Sequence, residues 1–586
     1  MDSSEEEVEL EALRGLVQDC VEKHCYRSAT FFGDKVCLMS GGENRDVYQL
    51  CQTYYYSGQH SRALHRLTKH RKELEKARAE RGTAANGSGV VEEEWKAFAY
   101  LTALCLAECK EWERCLQVLE EDQEKGEGKR EAGGGSDVSR RGVAVSLFSK
   151  RMETGEEEDG DAARRGSSGE GRGRAKRGPW KTKLELESAM CVLRAKCYES
   201  MDNREKAKRF YIMALEQSDP FCYEAFEALI GNHMLSSEEE SSLFSNLDSE
   251  VRGHQWLKLL YECKGKKYGK VEQIQEKLNV LGDEGGVGES LDVLTCKSEF
   301  LYHCCEYQQC YEVTSRVVAE DSYFLDCLPV HVACAVALGR KNDLFLLGHK
   351  LVEEMPERAV AWFAVGAYYY CIKAWDSAER YFQKATGIEK DFAPAWIGYG
   401  HTLAAKEEHD QAMAAYRTAS RLFQGLHEPL LCLGMEFAKT NNLGMANDFF
   451  QKALKIAAED PLVLNELGVL AYQRGEYSLA VKNFKGALDL AGVDPWSNKE
   501  WEPTINNLGH ALRKAGRYEE ALEHFKRASG LKGQASTYSS MAFTHQLMGH
   551  TDKAIELYHK ALGIQDCAFS SDMLLICLKE VAFVSL

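Results

Sequence analysis

The residues able to do chemistry are few and scattered. Cys105 with Cys109, and His303 with Cys304 and Cys305, are close enough in sequence to share a soft metal ion. Both groups fall inside amphipathic helical patterns, where cysteine packs as a small hydrophobe. No Cys-x-x-Cys pair occurs among the 21 cysteines. The glycine-rich stretches are not followed by Lys-Ser or Lys-Thr, so there is no phosphate-binding loop. Neither a Gly-x-Ser-x-Gly elbow nor a His-Glu-x-x-His helix is present. His401, His510 and His545 recur at about the same place in a repeated unit. A position shared by a repeat suits a contact surface better than a general base. The expectation is therefore no catalysis, no metal and no cofactor.

The elements that carry these histidines are set by a repeat. Gly366, Gly400, Gly434 and Gly468 follow one another at a single fixed interval, as do Ala378, Ala412, Ala446 and Ala480. Phe382, Tyr416, Phe450 and Phe484 keep that interval, and so do Ala385, Ala419, Ala453 and Ala487. The period matches the roughly 34 residues of a tetratricopeptide unit. Trp362, Val365, Gly366 and Tyr369 lie on one face of a helix; Ala378, Phe382 and Ala385 lie on one face of a second. The short link Lys373-Ala374-Trp375-Asp376 joins them into a hairpin. Small residues let the two helices approach, and large ones fill the remaining space. One hairpin cannot bury its apolar faces alone, so neighbours must stack. The fold class is all-α, a tetratricopeptide-repeat superhelix built as an α-solenoid of about thirteen hairpins.

The spacing divides the chain into a degenerate array over 1–120, degenerate helical repeats over 181–290 and a regular array over 291–565. A capping helix is expected over 566–586. Between the first two arrays, 121–180 is rich in Gly, Glu, Arg and Ser and nearly free of aromatics, and reads as a disordered insert. Within it Arg164-Arg165-Gly166-Ser167-Ser168 has the form of a basophilic kinase site, with Ser167 and Ser168 as acceptors. Arg172, Arg174, Lys176 and Arg177 could serve nuclear import. A formal charge of −18 argues against nucleic acid as the main partner. With no apolar run long enough to span a bilayer and an acidic N-terminus unlike a signal peptide, neither a membrane nor secretion is expected. The chain is placed in the nucleus and cytoplasm.

The concave wall of the stack is the candidate site. First-helix positions two, five, nine and twelve of each unit face it, and in the later units these include Phe363, Tyr370, Ile397, His401, Asn465, Tyr472, Asn506, His510 and Arg513; Asn507 is one place along. Aromatics offer contact area and amides offer hydrogen bonds to the backbone of a bound peptide.

Between the shared columns the wording is more particular. Ala361-Trp362-Phe363-Ala364-Val365-Gly366, Pro394-Ala395-Trp396-Ile397-Gly398-Tyr399-Gly400-His401 and Trp501-Glu502-Pro503 with Asn506-Asn507-Leu508-Gly509-His510 resemble the sixth-subunit family of the anaphase-promoting complex. The resemblance is strong over roughly 290–565 and fainter before it. It implies a non-catalytic scaffold of a mitotic ubiquitin ligase. It further implies a homodimer formed through the N-terminal repeats and the N-terminal segment of a very small accessory subunit wrapped by the C-terminal repeats. Related repeat subunits would pack alongside. Two other classes compete. A co-chaperone clamp would pair Arg513 and Lys514 with a carboxylate near Asn507. A repeat-bearing glycosyltransferase would need an α/β domain, for which no strand–helix alternation is left.

Overall fold

The computed structural model describes residues 3–80, 88–127, 186–218, 221–247, 255–265, 271–283, 287–492 and 494–584. Among these residues the chain is helical throughout and contains no β-strand. Ser167 and Ser168, and the insert expected at 121–180 beyond residue 127, lie outside the described residues.

The two helices of a hairpin differ in character because their surroundings differ. Ala359–Cys371 is wedged between neighbours and is apolar nearly all round, with Ala359, Val360, Ala361, Phe363, Ala364, Gly366 and Ala367 buried. Trp375–Ile388 covers it from outside and keeps one polar face. There Ala378, Phe382, Ala385 and Thr386 are buried, while Arg380, Gln383 and Lys384 are exposed.

The glycine column explains the close approach. A Cβ at Gly366 would lie 2.8 Å from Phe382 Cδ1, and one at Gly400 would lie 2.3 Å from Tyr416 Cε1. Gly434, Gly468 and Gly509 stand the same way against Phe450, Phe484 and Phe525. Each ring lies flat on the backbone of its partner helix, and these rings are among the most buried side chains of the chain.

The turn inside each hairpin keeps the same interval. Cys305, Gly339, Lys373, Glu407, Asn441 and Gly475 stand one unit apart and all have φ between +59° and +81°. Each ends a first helix in the left-handed conformation. At Lys373 the N–H donates to Tyr370 O and the next N–H, of Ala374, donates to Tyr369 O, both at 3.0 Å. Glycine is the natural residue there, yet several of these positions carry an ordinary side chain. The geometry is imposed by the packing of the two helices rather than by local preference.

The chain divides into two compact units, Met1–Leu229 and Ile230–Leu586. In the first, Arg14 donates to both carboxylate oxygens of Asp46, at 2.9 and 2.6 Å, tying the opening helix to the second hairpin. Helices Trp112–Glu127 and Leu186–Ser200 lie far apart in sequence but stack directly. Arg194 Nη2 donates to Leu119 O at 2.7 Å, and Tyr198 OH donates to Glu120 at 3.1 Å. The stack therefore continues from one side of residues 128–185 to the other. In the second unit regular hairpins run from Leu291–His303 with Tyr307–Glu320 to Ala535–Leu547 with Thr551–Ile564, followed by the single helix Ala568–Val584.

Candidate functional site

The inner wall of the second unit is built by first helices, and the structure sorts the expected residues by what they touch. Phe363 does not offer its ring to the wall. It is 7% exposed and packs against Phe382 and Phe392, with centroids 5.8 and 5.4 Å away, because Phe392 ends the connection that leads into the next hairpin. Ile397 is half-buried against Phe423 and Leu426. Asn465 is spent between hairpins, accepting from Thr504 Oγ1 at 3.0 Å and donating to Glu466 Oε1 at 3.0 Å.

Tyr370 and His401 do meet, in a recess of about 200 Å³ that Tyr416, Cys432, Met435, Glu436 and Lys439 complete. His401 Nδ1 lies 2.8 Å from Tyr416 OH. The ring is reached by solvent from within the concavity yet has protein around most of its circumference. That surrounding protein, with Lys439 adding to it and Glu436 opposing, pushes its pKa down to about 4. Glu436 is buried beneath, 2.6 Å from His409 Nδ1 and 2.8 Å from Lys439 Nζ.

Farther along, His510 sits edge-on to Phe525 and lies 3.3 Å from Ser540 Oγ and 3.2 Å from Arg513 Nη2. Arg513 in turn lies over the Phe543 ring, 4.9 Å from its centroid, and is near Tyr472. Its guanidinium is committed to aromatic neighbours, so the clamp expected of a carboxylate-binding co-chaperone is not assembled around Asn507. Asn506 and Asn507 are both half-buried, and Asn506 Oδ1 is enclosed without a hydrogen-bond partner.

The wall also has acidic members that were not expected. Glu428 and Glu466 are only partly covered, yet burial raises the pKa of both above the usual carboxylate range. Glu428 occupies place two of its unit and Glu466 the place that Asn507 holds in its own, so both were within reach of the register argument. Among the described residues no group of three His, Cys, Asp or Glu could hold a metal ion. Burial pushes Cys105 and Cys304 up to about 12, as expected of thiols used for packing. Among the described residues no helix is long and apolar enough to cross a membrane.

His510 makes the wall sensitive to acid. Burial, then Arg513, pushes its pKa down to about 4 from the ordinary 6.5. Above 6.5 the ring is neutral in both folded and unfolded chains and nothing is lost. Below 6.5 the unfolded chain takes up a proton that the folded one refuses until about 4, so stability falls across that window and then levels. The urea midpoint of the full chain should therefore drop less between pH 7 and pH 5 in His510→Gln than in the parent. Equal drops would assign the loss to other groups.

Residues 393–424 and 501–566 match the family described as tetratricopeptide repeat, and residues 22–85 match that described as anaphase-promoting complex, cyclosome, subunit 3. Anaphase-promoting complex subunit 6 of Arabidopsis thaliana is 40% identical, covering 98% of this chain and 97% of the relative. Cell division cycle protein 16 homolog of Homo sapiens is 38% identical, covering 97% of this chain and 84% of the relative. The crystal structure of the APC/C hetero-tetramer Cut9–Hcn1 superposes with a TM-score of 0.71 at 30% identity, over 97% of this chain and 96% of that one. With a repeat scaffold along its length and relatives spanning nearly all of it, the chain belongs to the subunit 6 family of the anaphase-promoting complex, the non-catalytic scaffold subunits of that ubiquitin ligase.

Proposed function

We propose that the chain scaffolds the ligase by two interfaces: its N-terminal unit pairs with a second copy, and its C-terminal unit seats a small accessory subunit. Related repeat subunits stack on its outer surfaces, and the assembly works in the nucleus and cytoplasm.

The observation that carries the accessory-subunit interface is the helix Ala568–Val584. Its register follows that of Ala535–Leu547, to which Ser570 is tied by a 2.6 Å hydrogen bond with Ser539. Leu575 therefore stands in the glycine column, as the counterpart of Ala542 one unit on. In each hairpin from Ala359–Cys371 to Ala535–Leu547 that column is roofed by the ring of a second helix. Here, among the described residues, no second helix packs on it, and Leu575 and Leu578 are 55% and 43% exposed. A helix with an apolar stripe, supplied by the accessory subunit, completes the hairpin. The rest of that subunit runs into the trough as an extended segment. Glu428 and Glu466 favour a segment with basic side chains, since a nearby cation offsets the cost of burying their charge.

Support for self-association comes from helix Tyr26–Met39, where Phe31 and Leu38, two turns apart on one face, are 59% and 69% exposed. Cut9 forms a hetero-tetramer with Hcn1, a stoichiometry that two copies of each chain would satisfy.

Calorimetry on Leu575→Asp with Leu578→Asp should show the accessory subunit bound about tenfold or more weakly, the scale of a lost apolar anchor, with helicity unchanged. Light scattering on Phe31→Asp with Leu38→Asp should show a monomer. Unchanged affinity in the first variant would overturn the accessory-helix assignment, and an unchanged mass in the second would move the dimer interface elsewhere.

A further inference from the structure

In a solenoid each hairpin ordinarily touches only its neighbours, so curvature is the sum of many small rotations and the array is compliant. Among the described residues the second unit departs from that rule, and two hydrogen bonds show it. The N–H of Gly425, in the link between helices His409–Leu422 and Glu428–Lys439, donates at 2.7 Å to the carbonyl oxygen of His233, far earlier in the chain. Farther on, Asn498 Nδ2 donates to Cys305 O at 3.4 Å, across a separation of 193 in sequence. Around this second contact the side chain of Cys305 packs against the core that holds Phe484 and Trp501, and Gly492 lies against Cys304. The sequence separations of the two contacts agree to within a single residue. Both contacts therefore mark the same event, the superhelix meeting itself after one full turn.

Gly425 is a glycine because of that meeting. Its φ lies outside the left-handed region, so its backbone conformation is open to alanine. A Cβ there would nevertheless lie 2.2 Å from Leu235 O and 2.7 Å from His233 O. These are backbone atoms of the other turn and cannot rotate aside. The obstacle to a side chain at 425 is the neighbouring turn, which makes this residue a clean place to part the two.

We propose that these contacts are a latch that holds one turn of the superhelix shut, and that latch opening sets the rate at which a segment lying in the trough can leave. The inference rests on the reading of the trough as the seat of the accessory subunit. The trough wall fits it: Glu428 and Glu466 belong to the stretch between the two latched points, and Tyr302, just before the second, lies close enough to Glu428 for the two to interact. Opening either point releases a rotation that the intervening hairpins otherwise share.

The test uses the full chain carrying Gly425→Ala, with a fluorescent synthetic peptide of the accessory subunit's N-terminal segment as probe. Amide exchange in the free protein should quicken at both sides of the seam, around residues 233–235 and 423–426, while total helicity stays the same. Peptide dissociation should speed up about tenfold, with association changing by no more than about threefold. Asn498→Asp provides a second variant: it keeps the acceptor that caps Glu500 N–H but loses the donor to Cys305, and should act in the same direction. Unchanged exchange in both variants would show that there is no latch. Faster exchange with unchanged dissociation would overturn the gate and leave the seat intact. A parent chain that fails to hold the peptide would overturn the seat and the gate together.

Discussion

Gly400→Val is expected to cost the C-terminal unit about 3 kcal/mol, the upper end for overpacking a well-filled core. The Cβ alone would lie 2.3 Å from Tyr416 Cε1 and 2.7 Å from Cδ1. The ring has nowhere to go, being 1% exposed and lodged among Leu403, Met413, Leu431 and Leu433. Its hydroxyl is also held by His401. Relief has to come from separating the two helices of the hairpin, and that opens the contacts with both neighbouring hairpins. In a stacked array such damage spreads along the stack. The control is Gly387→Ala. That glycine lies in the last turn of a second helix with nothing within 4 Å of the added Cβ. There alanine should raise stability by up to about 1 kcal/mol through helix propensity alone. Urea unfolding followed by circular dichroism measures both. Equal midpoints for Gly400→Val and the parent would refute the packing account of the glycine column. Gly400→Ala combined with Tyr416→Leu should recover part of the loss, since the two residues share one space.

The same contact shows why so much of the fold was legible. A glycine and an aromatic ring that must touch flat leave a signature in residue type, and the array repeats it once in every hairpin. The left-handed residue ending each first helix leaves a less regular signature. At Lys373 and Glu407 tertiary packing imposes a conformation that local sequence opposes, so glycine marks the position in some hairpins, as at Gly339, Gly475, Gly516 and Gly549, and not in others. The inner wall was legible by place but not by role. Register put Phe363 and Asn465 there, but it could not tell that the connection into the next hairpin would absorb the ring of one or that Thr504 would take the amide of the other. Glu428 and Glu466 escaped notice because a carboxylate on a helix ordinarily reads as solvated surface, though their places in the unit were available. The meeting of Gly425 with His233 was beyond sequence reasoning altogether. It depends on the sum of rotations over several hairpins, each too small to read from composition.

Asp460→Ala should have the larger effect of the two, about 3–4 kcal/mol, the upper part of what two losses add up to: about 1–3 kcal/mol for removing one partner of a buried hydrogen bond and about 1 kcal/mol for a lost helix cap. Asp460 and His427 are both 2% exposed, and His427 Nε2 lies 2.5 Å from Asp460 Oδ2. The other carboxylate oxygen accepts from Leu462 N–H at 2.9 Å and caps the helix Pro461–Gln473, a contact worth about 1 kcal/mol by itself. One side chain thus fixes the start of a first helix and ties it to the start of the first helix in the preceding hairpin. Alanine removes both bonds and leaves His427 enclosed without this partner. Asp460→Asn should be far milder: its amide oxygen can still cap Leu462, and its NH₂ can donate to an unprotonated Nε2. If the cost of Asp460→Ala comes mainly from the buried imidazole losing this carboxylate, then adding His427→Leu should restore stability rather than lower it further. A double variant less stable than Asp460→Ala would show instead that His427 contributes through its own packing. Since Glu428 follows directly on His427, the single variant should also displace the acidic wall. Binding of the accessory subunit should then fall in Asp460→Ala and recover in the double variant along with the urea midpoint.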